Sequence, residues 1–340
     1  MRIALLTPTF SKFSGIDRVV ENQFRKLTQE GNEVVVMTLE ADINDEDIKV
    51  ITIKSLRGQF LHRLYRLIFF LDFRKIKKSA EQLKDFNVIY SHQYPMNLIA
   101  MRAKKKYGIK FIYYNHGIAS LKTFTSLIDK LYIQLIKSLS NWTVKKSDKV
   151  ISISKYLRDV LKREIGIESE VVYNLVDKER FNSSISGLVV KKKYSLESTP
   201  VVLYVGRISP HKGIHLLIKS FNIVLDKIPN AKLLIVGKKT FNNYARKLET
   251  LAEKSVIFAG YVKDDELPFY YAACDVYATA SLWEGFDLPI AEAQACGKPV
   301  VAYNLCSHPE IINKNGTLVK PKDINSFAKA IINTINKNEK

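Results

Sequence analysis

The stretch SLWEGFDLPIAEAQACGKPVVA, residues 281–302, decides the fold of the second half of the chain. Apolar, β-rich runs flank its helical part, VYATA at 276–280 and VVAY at 300–303, and both are predicted to be strands. Between them Pro289 suits the first turn of a helix, and the glycine and proline that follow Cys296 end it. The stretch therefore predicts a strand, a helix of about two turns and a second strand.

Two glutamates stand in this stretch, Glu284 in the predicted strand-to-helix loop and Glu292 in the predicted first turn. In open parallel sheets, ligands lie beyond the carboxyl ends of the strands, where a helix N-terminus offers N–H donors. Carboxylates repel phosphate but accept hydrogen bonds from hydroxyls, so a sugar nucleotide would fit both features. The glutamates would equally favour the helix dipole and cap the loop, and this stretch alone leaves both interpretations open.

Strands and helices alternate twice along the chain, which is typical of parallel α/β sheets. After a less regular stretch at 177–199 the alternation restarts, so two doubly wound domains are predicted, residues 1–178 and 179–340, with a cleft between them. The predicted strands cover residues 3–7, 34–39, 50–53, 88–91, 111–114, 150–153 and 171–173, and further strands begin at 201, 232 and 256.

A second strand-to-helix junction, YVGRISPHKG, places Arg207 and Lys212 on its loop. The order of its glycines is not that of a Walker A element. A guanidinium and an ammonium group can nevertheless hold a diphosphate that gains charge as it leaves, without a metal. Taken alone, the loop favours the simpler interpretation that these are two of the 53 basic residues.

Together these segments resemble the donor domain of the family 4 retaining glycosyltransferases. Their GT-B fold has two Rossmann-like domains that face each other across a cleft, and their signature of two glutamates separated by seven residues matches Glu284 and Glu292. The resemblance covers nearly the whole chain and is weaker in the N-terminal half. Its other segments are GYVKDDELPFYYAACDVYATAS, SHPEII, TPTFSKFSGIDRVV, VIYSH, YYNHG, SDKVISIS and VVYNLVDKERF.

The resemblance implies a role for each matched side chain. Glu292 would accept hydrogen bonds from ribose hydroxyls and Glu284 from hydroxyls of the transferred sugar. Arg207 and Lys212 would neutralise the diphosphate, and His116 would lie over the reacting sugar. The family retains the anomeric configuration by front-face attack, in which the leaving phosphate helps to deprotonate the acceptor and no carboxylate nucleophile is needed.

The resemblance also implies backbone contacts with the donor. Val262 would meet the base, and Gly15 would let the N-terminal loop approach the donor phosphate closely. In place of the second glycine of many members this chain has an aspartate, so an acidic side chain is expected near the phosphates unless it turns away. The rest of the implied diphosphate cradle follows Glu284 in the chain: Gly285, Phe286, Asp287 and Leu288.

Without the resemblance to the family, the sequence gives little indication of which histidine is functional. His116, between the run KFIYY and a glycine, would then be more simply a structural residue, and His92 is ambiguous. For the remaining histidines we expect solvation or local hydrogen bonds only: His62, His211, His215 and His308.

The sequence gives little support for a metal-dependent glycosyltransferase or a nicotinamide dehydrogenase. The D-x-D spelling at Asp45, Glu46 and Asp47 lies in an acidic connector that reads as a solvated loop, so no metal is expected. No G-x-G-x-x-G follows a strand, which argues against a nicotinamide dehydrogenase. The three cysteines lack the spacing of metal ligands.

The net charge of +19 suits an anionic partner, but a lysine-rich composition alone would produce the same charge without any function. No nucleic-acid motif occurs, so nucleic acid is not expected. The segment Arg57 to Lys78 mixes apolar and basic residues and predicts a basic amphipathic helix, which could lie on an anionic membrane or equally turn its apolar face to the core. For a similar segment, Leu121 to Lys146, the core-facing interpretation is preferred. With no membrane-spanning or signal segment, a cytoplasmic protein that associates peripherally with the membrane is expected.

The sequence therefore predicts a metal-independent, retaining glycosyltransferase. It would move a hexose or N-acetylhexosamine from a UDP- or GDP-sugar to a hydroxyl of a glycan or lipid-linked acceptor. The alternatives are a GT-B-like nucleotide-sugar epimerase and a non-catalytic, basic membrane-binding protein.

Overall fold

The chain forms two compact α/β units in a computed structural model. One unit comprises Met1–Leu121 and Thr125–Leu175, and the other comprises Lys122–Phe124 and Val176–Lys340. The structure describes residues 1–11, 15–42, 45–53, 59–123, 126–239 and 241–338.

The first unit is built on a seven-stranded parallel sheet in the order β3-β2-β1-β4-β5-β6-β7. Its central strands are continuous apolar runs because helices cover both faces of a parallel sheet. The strands are β1 Arg2–Ser11, β2 Glu33–Asp42, β3 Val50–Thr52, β4 Val88–Ser91, β5 Lys110–Asn115, β6 Lys149–Ser152 and β7 Glu170–Val171. The helices are α1 Gly15–Gln29, α2 Gln59–Ile68, α3 Phe73–Glu81, α4 Met96–Tyr107, α5 Leu127–Val144 and α6 Lys155–Ile165.

The second unit repeats this plan on a six-stranded parallel sheet in the order β10-β9-β8-β11-β12-β13. Its strands are β8 Val201–Val205, β9 Lys232–Val236, β10 Val256–Gly260, β11 Val276–Thr279, β12 Val300–Tyr303 and β13 Thr317–Val319. Its helices are α7 Leu188–Lys193, α8 Ile214–Leu225, α9 Asn242–Leu251, α10 Leu267–Ala273, α11 Leu288–Ala295, α12 His308–Ile311 and α13 Ile324–Asn338.

Two doubly wound parallel sheets confirm the predicted fold class, and every predicted strand overlaps an observed one. The last predicted strand of the first half, 171–173, is observed as the two residues of β7, Glu170–Val171. Val172 and Tyr173, beyond its end, are 37% and 38% exposed. Helix α11 begins one residue earlier than predicted. Glu292 is therefore its fifth residue, and the predicted place in the first turn was wrong.

The chain order reverses direction once in each sheet. In the first sheet β1 lies between β2 and β4, and in the second β8 lies between β9 and β11. At such a topological switch point the loops after the two central strands diverge and leave a crevice at their carboxyl ends. The loops after β8 and β11 carry Arg207, Lys212 and Glu284, and Glu292 lies in the helix that follows the second loop.

The predicted amphipathic helix from Arg57 to Lys78 is instead two helices. Asp72 separates α2 from α3 and caps α3 by accepting a hydrogen bond from the N–H of Lys75 at 3.0 Å. Arg57 and Gly58, at the start of the segment, lie outside the described residues.

The core-facing interpretation of the segment 121–146 is wrong for the first half of α5. Leu127 and Ile128 are each 80% exposed and Leu131 is 62% exposed. The buried residues of this helix are confined to its C-terminal end, which lies near α4. The N-terminal turns of α5 therefore present an apolar face that the described part of the unit does not cover.

No helix in the described part of the chain has both the length and the apolar composition that crossing a bilayer requires.

Candidate active site in the second unit and a histidine pair in the first

The loops at the switch point of the second sheet bring one predicted cation and one predicted carboxylate into contact. Lys212 ends a 3-10 turn after β8, and Glu284 lies in the loop between β11 and α11. The ammonium group of Lys212 donates to Glu284 Oε1 at 2.5 Å. Both side chains are largely buried, with exposed fractions of 15% and 9%. Residues 72 positions apart thus form one buried ion pair.

Backbone contacts hold the two loops together. The N–H of Leu282 donates to the carbonyl of His211 at 2.8 Å, which fixes the 3-10 turn against the second loop. Gly213 follows Lys212 with φ +64°, a left-handed conformation that favours glycine. A Cβ at this position would overlap the carbonyl oxygen of Ala280, at the end of β11. The glycine therefore permits the close approach on which the ion pair depends.

Arg207 lies at the same edge, two residues beyond β8. Its side chain is exposed and forms no ion pair with any residue that the structure describes. A charged guanidinium at the rim of a crevice is available to an anionic ligand.

Glu292 is buried within α11, 1% exposed, and accepts a hydrogen bond from the hydroxyl of Tyr271 at 2.6 Å. A carboxylate can accept up to about four hydrogen bonds, which suits a group that binds hydroxyls. The pKa of Glu284 is raised, first by burial and then by the nearby charge of Asp287, and Lys212 offsets this only in part.

The predicted cradle residues between Glu284 and α11 are buried rather than exposed in a loop. Phe286 and Leu288 are each 7% exposed, and Gly285 is also buried. Val262, two residues beyond β10, packs into the apolar cluster between the sheet and its helices. The segments that follow β8, β10 and β11 therefore carry the residues of the second unit that the resemblance assigns to the donor, apart from those in α11.

Asp287 adopts a left-handed conformation, φ 57° and ψ 67°, immediately before α11. Such a conformation costs a non-glycine residue about 1–2 kcal/mol. The side chain does not cap the helix but accepts a hydrogen bond from His308 Nε2 at 3.0 Å. The acidic side chain that replaces glycine therefore turns toward α12.

His308 was expected to make only solvated or local hydrogen bonds, and this expectation was wrong. Its ring is fully buried, with Nδ1 2.8 Å from the carbonyl oxygen of Tyr303 and Nε2 3.0 Å from the carboxylate of Asp287. The carbonyl oxygen of Tyr303 and an ionised Asp287 carboxylate both accept hydrogen bonds, so we assign a proton to each ring nitrogen and describe the ring as an imidazolium.

The pKa directions agree with that assignment. Burial alone would lower the pKa of His308, but the hydrogen bond and charge of Asp287 outweigh it and raise that pKa. Burial would likewise raise the pKa of Asp287, but the hydrogen bond from His308 and the charge of Lys212 lower it. The sequence signal that could have revealed the pair is an aspartate at a position that requires a left-handed conformation.

In the first unit His116 follows β5 and His92 follows β4, so both lie at the carboxyl edge of that sheet. Asn115 fixes the turn, because its side chain donates to Ser152 Oγ at 3.0 Å and accepts from the N–H of Gly117 at 3.0 Å. His92 Nδ1 lies 2.9 Å from His116 Nε2. The previously ambiguous His92 is therefore the direct partner of His116.

Burial lowers the pKa of His116 to about 3, so its ring is neutral near pH 7. Burial, and then the repulsion that would arise if His116 were also protonated, hold the pKa of His92 well below its ordinary value. Nε2 of His92 has no hydrogen-bond partner in the described part of the chain. A lone pair is less costly to leave unpaired than an N–H, so we assign the shared proton to His92 Nδ1 and leave His116 protonated on Nδ1.

Gly15 is the first residue of α1 and is exposed. A Cβ there would meet no atom within 4 Å, so packing does not require glycine at this position. Residues 12–14 of the matched loop lie outside the described residues.

The D-x-D spelling forms a local turn. Asp45 pairs with Arg25 at 2.7 Å and accepts from the N–H of Asp47 at 3.1 Å. Among the described residues no cluster of three or more His, Cys, Asp or Glu side chains is placed to hold a metal ion.

Two family models match the chain. The model of the group 1 glycosyl transferases matches residues 189–340, and the model of glycosyltransferase family 4 matches residues 13–180. O-antigen chain mannosyltransferase B of Escherichia coli is 31% identical over 154 residues, which are 44% of this chain and 40% of that protein. The match therefore spans less than half of that relative.

Longer matches agree with these models. The UDP-Gal:alpha-D-GlcNAc-diphosphoundecaprenol alpha-1,3-galactosyltransferase of Escherichia coli is 24% identical over 339 residues, 94% of this chain and 84% of that protein. The crystal structure of Anabaena Alr3699/HepE in complex with UDP and glucose is similar with a TM-score of 0.79 and 22% identity, over 99% of this chain and 90% of that one. The structural likeness and the two parallel sheets confirm the GT-B fold.

Gly213→Ala should destabilise the second unit by about 2–5 kcal/mol, because it adds a clash with Ala280 to the cost of a left-handed alanine. Gly260 is the matched control, since it has φ +72° and no atom within 4 Å of an added Cβ. Gly260→Ala should cost only about 1–2 kcal/mol. Urea unfolding followed by Trp283 fluorescence, in a Trp142→Phe background, measures both. Equal losses in the two variants would contradict the close approach.

Proposed function

The chain belongs to glycosyltransferase family 4, the group 1 glycosyl transferases, and from this premise we propose that it is a retaining, metal-independent enzyme. It moves a hexose or N-acetylhexosamine from a UDP- or GDP-sugar to a hydroxyl of a glycan or lipid-linked acceptor. The observation that carries the proposal is the buried contact of Lys212 with Glu284 at the switch point of the second sheet.

The donor diphosphate is assigned to Arg207 and Lys212. When it binds, Lys212 is shared between the phosphate oxygens and Glu284, while Arg207 reaches the phosphates from the rim. Two fixed cations can neutralise the charge that develops on the leaving diphosphate, which is the role that a metal ion has in other enzymes. This supports a reaction without a metal.

The donor hydroxyls are assigned to the two glutamates. Glu292 accepts from the ribose and Glu284 from the transferred sugar, because both carboxylates are buried and can accept several hydrogen bonds. A UDP donor is supported by the UDP and glucose bound in the Anabaena protein and by the UDP-Gal named for the galactosyltransferase. A GDP-sugar is kept as the alternative donor.

The proposed retention of the anomeric configuration rests on the resemblance to the family, and the charge state of the site is compatible with it. Glu284 is bound to Lys212, so it orients sugar hydroxyls rather than attacking the anomeric carbon. The acceptor hydroxyl attacks from the face that the diphosphate leaves, the sugar–phosphate bond breaks, and the acceptor proton passes to the leaving phosphate oxygen. His116, neutral near pH 7, contacts the reacting sugar as a hydrogen-bonding group, and Gly15 admits the donor phosphate.

A lipid-linked acceptor at an anionic membrane is supported by the surface of the first unit. The apolar face of α5 is exposed, as are Leu61 and Leu64 of α2, and the two helices lie near each other. Arg63 joins them through its ion pair with Asp129 at 2.8 Å and remains half exposed. Apolar side chains beside basic groups suit the headgroup region of an anionic bilayer. The galactosyltransferase relative is named for a diphosphoundecaprenol-linked acceptor.

The donor assignment predicts that a UDP- or GDP-sugar raises the Tm of the protein in the presence of EDTA. Glu292→Ala and Arg207→Ala should each raise the donor Kd about 10- to 100-fold, because each removes a charged hydrogen-bonding partner. Thermal shift against UDP-, GDP-, ADP- and CMP-sugars, followed by calorimetric titration, measures both effects.

Glu253→Ala is the control for this experiment, because Glu253 is an exposed glutamate of the same unit. A stabilisation that requires added Mg²⁺ or Mn²⁺ would contradict metal independence. Unchanged donor affinity in Glu292→Ala and Arg207→Ala would contradict the site.

The membrane assignment predicts that Leu127→Gln/Ile128→Gln lowers partitioning to phosphatidylglycerol vesicles by about tenfold or more, since two exposed apolar side chains lose their contact with the bilayer. Leu188→Gln/Val189→Gln is the matched control, because these residues are exposed on α7 of the other unit. Vesicle co-sedimentation measures the partitioning. Equal binding of both variants and the wild-type protein would show that α5 does not meet the membrane.

A further inference from the structure

The turn between β12 and α12 holds the loop before α11 at two points. Ser307 Oγ donates to the carbonyl of Glu284 at 3.4 Å, and His308 Nε2 donates to the carboxylate of Asp287 at 3.0 Å. Both contacts are buried. These two hydrogen bonds fix the backbone from residue 284 to residue 287. This segment carries the proposed sugar-binding carboxylate and leads into α11.

Two cations and two carboxylates make this cluster electrically balanced. Lys212 is paired with Glu284, and His308 is paired with Asp287. The two pairs interact electrostatically. The charge of Lys212 lowers the pKa of Asp287, and the charge of Asp287 raises the pKa of Glu284. Neutral groups beside the two pairs include the carbonyl of Tyr303, the hydroxyl of Thr279, and the buried phenols of Tyr204 and Tyr277. Glu310 lies on α12 two residues after His308 and is half-buried.

We propose that His308 is a positioning residue for donor binding, whose imidazolium binds the Asp287 carboxylate and so keeps it from competing with the donor diphosphate for Lys212. This inference rests on the proposed function, because it takes a diphosphate as the ligand of Lys212. The positive charge of His308 then neutralises the Asp287 carboxylate, so an anionic ligand can bind nearby.

The physical reason is the cost of an unpaired buried charge. Without His308 the carboxylate of Asp287 keeps its place in the interior, and Lys212 is the remaining cation of the cluster. A buried carboxylate without its partner draws the nearest cation strongly, since low-dielectric surroundings strengthen the attraction. Lys212 would then interact with two protein carboxylates, Glu284 and Asp287, and would bind a diphosphate more weakly.

The charge of His308 also sets a pH dependence. Its pKa in the folded protein is raised above the ordinary value of 6.5, so the imidazolium is fully present below pH 6.5 and is lost as the pH rises through the folded pKa. The pKa of Asp287 is lowered below 3.8, so its charge is fully present above that pH. The diphosphate of a nucleotide sugar is esterified at both ends and does not titrate in this window. Donor affinity should therefore decline above pH 6.5 as His308 loses its proton.

A double-mutant cycle tests the inference. The variants are His308→Ala, Asp287→Gly and the double variant Asp287→Gly/His308→Ala, in which glycine removes the carboxylate and adopts the left-handed conformation freely. The probe is UDP-glucose or GDP-mannose, whichever stabilises the wild-type protein more, titrated by calorimetry. His308→Ala in the wild-type background should raise the donor Kd about tenfold or more, or leave the protein unable to fold.

In the Asp287→Gly background the same His308→Ala change should alter the donor Kd by less than about threefold, because no buried carboxylate remains to be neutralised. The decline of affinity above pH 6.5 should be present in the wild-type protein and absent from Asp287→Gly. A histidine that served packing alone would give the same loss in both backgrounds and the same pH profile in both proteins.

The outcomes distinguish this inference from the proposed function. Donor binding by the wild-type protein, with equal losses on His308→Ala in both backgrounds, would overturn this inference and leave the proposed function standing. A double variant that folds but binds no donor while Asp287→Gly binds it would also overturn the inference. A wild-type protein that binds neither sugar nucleotide would overturn the proposed function and this inference with it.

Discussion

The buried ion pair between Lys212 and Glu284 is the contact on which the arrangement of the second unit's ligand edge depends. Removing two charges from water costs several kcal/mol per ion unless each finds well-placed partners. The chain meets this requirement locally, since it places a second pair, Asp287 with His308, beside the first. The result is a neutral cluster in which Lys212 can bind an incoming diphosphate. Such a balanced cluster leaves neither carboxylate unpaired when no ligand is bound.

The backbone makes that cluster possible through two left-handed residues. Gly213 brings the turn of Lys212 against the end of β11, where any side chain would collide with Ala280. Asp287 adopts the same region of conformational space without being glycine, and its hydrogen bond from His308 offsets the strain. In the first unit, hydrogen bonds to Asn115 shape the turn that carries His116. Loop geometry, more than loop composition, therefore decides which groups face a ligand.

Much of the fold could be predicted because it depends on local patterns. Apolar runs and their turn residues identified twelve of the thirteen strands that the structure describes, and the short edge strand β13, Thr317–Val319, was missed. Pro289 and the glycine after Cys296 placed α11 to within one residue. The contacts that were missed join distant residues: His92 to His116, and Asp287 to His308. Periodicity within one element carries no information about such pairs. The break at Asp72 and the exposed face of α5 were missed for a related reason, since an apolar stripe does not say what covers it.

The position of the donor is the central claim, and a crystal structure with UDP-glucose or GDP-mannose bound would test it most directly. We predict diphosphate oxygens against Arg207 and Lys212, ribose hydroxyls on Glu292 and sugar hydroxyls on Glu284. Asp287 should still point to His308. A nucleotide bound away from the carboxyl ends of β8 and β11, or a diphosphate held by a metal ion instead of Lys212, would contradict the claim.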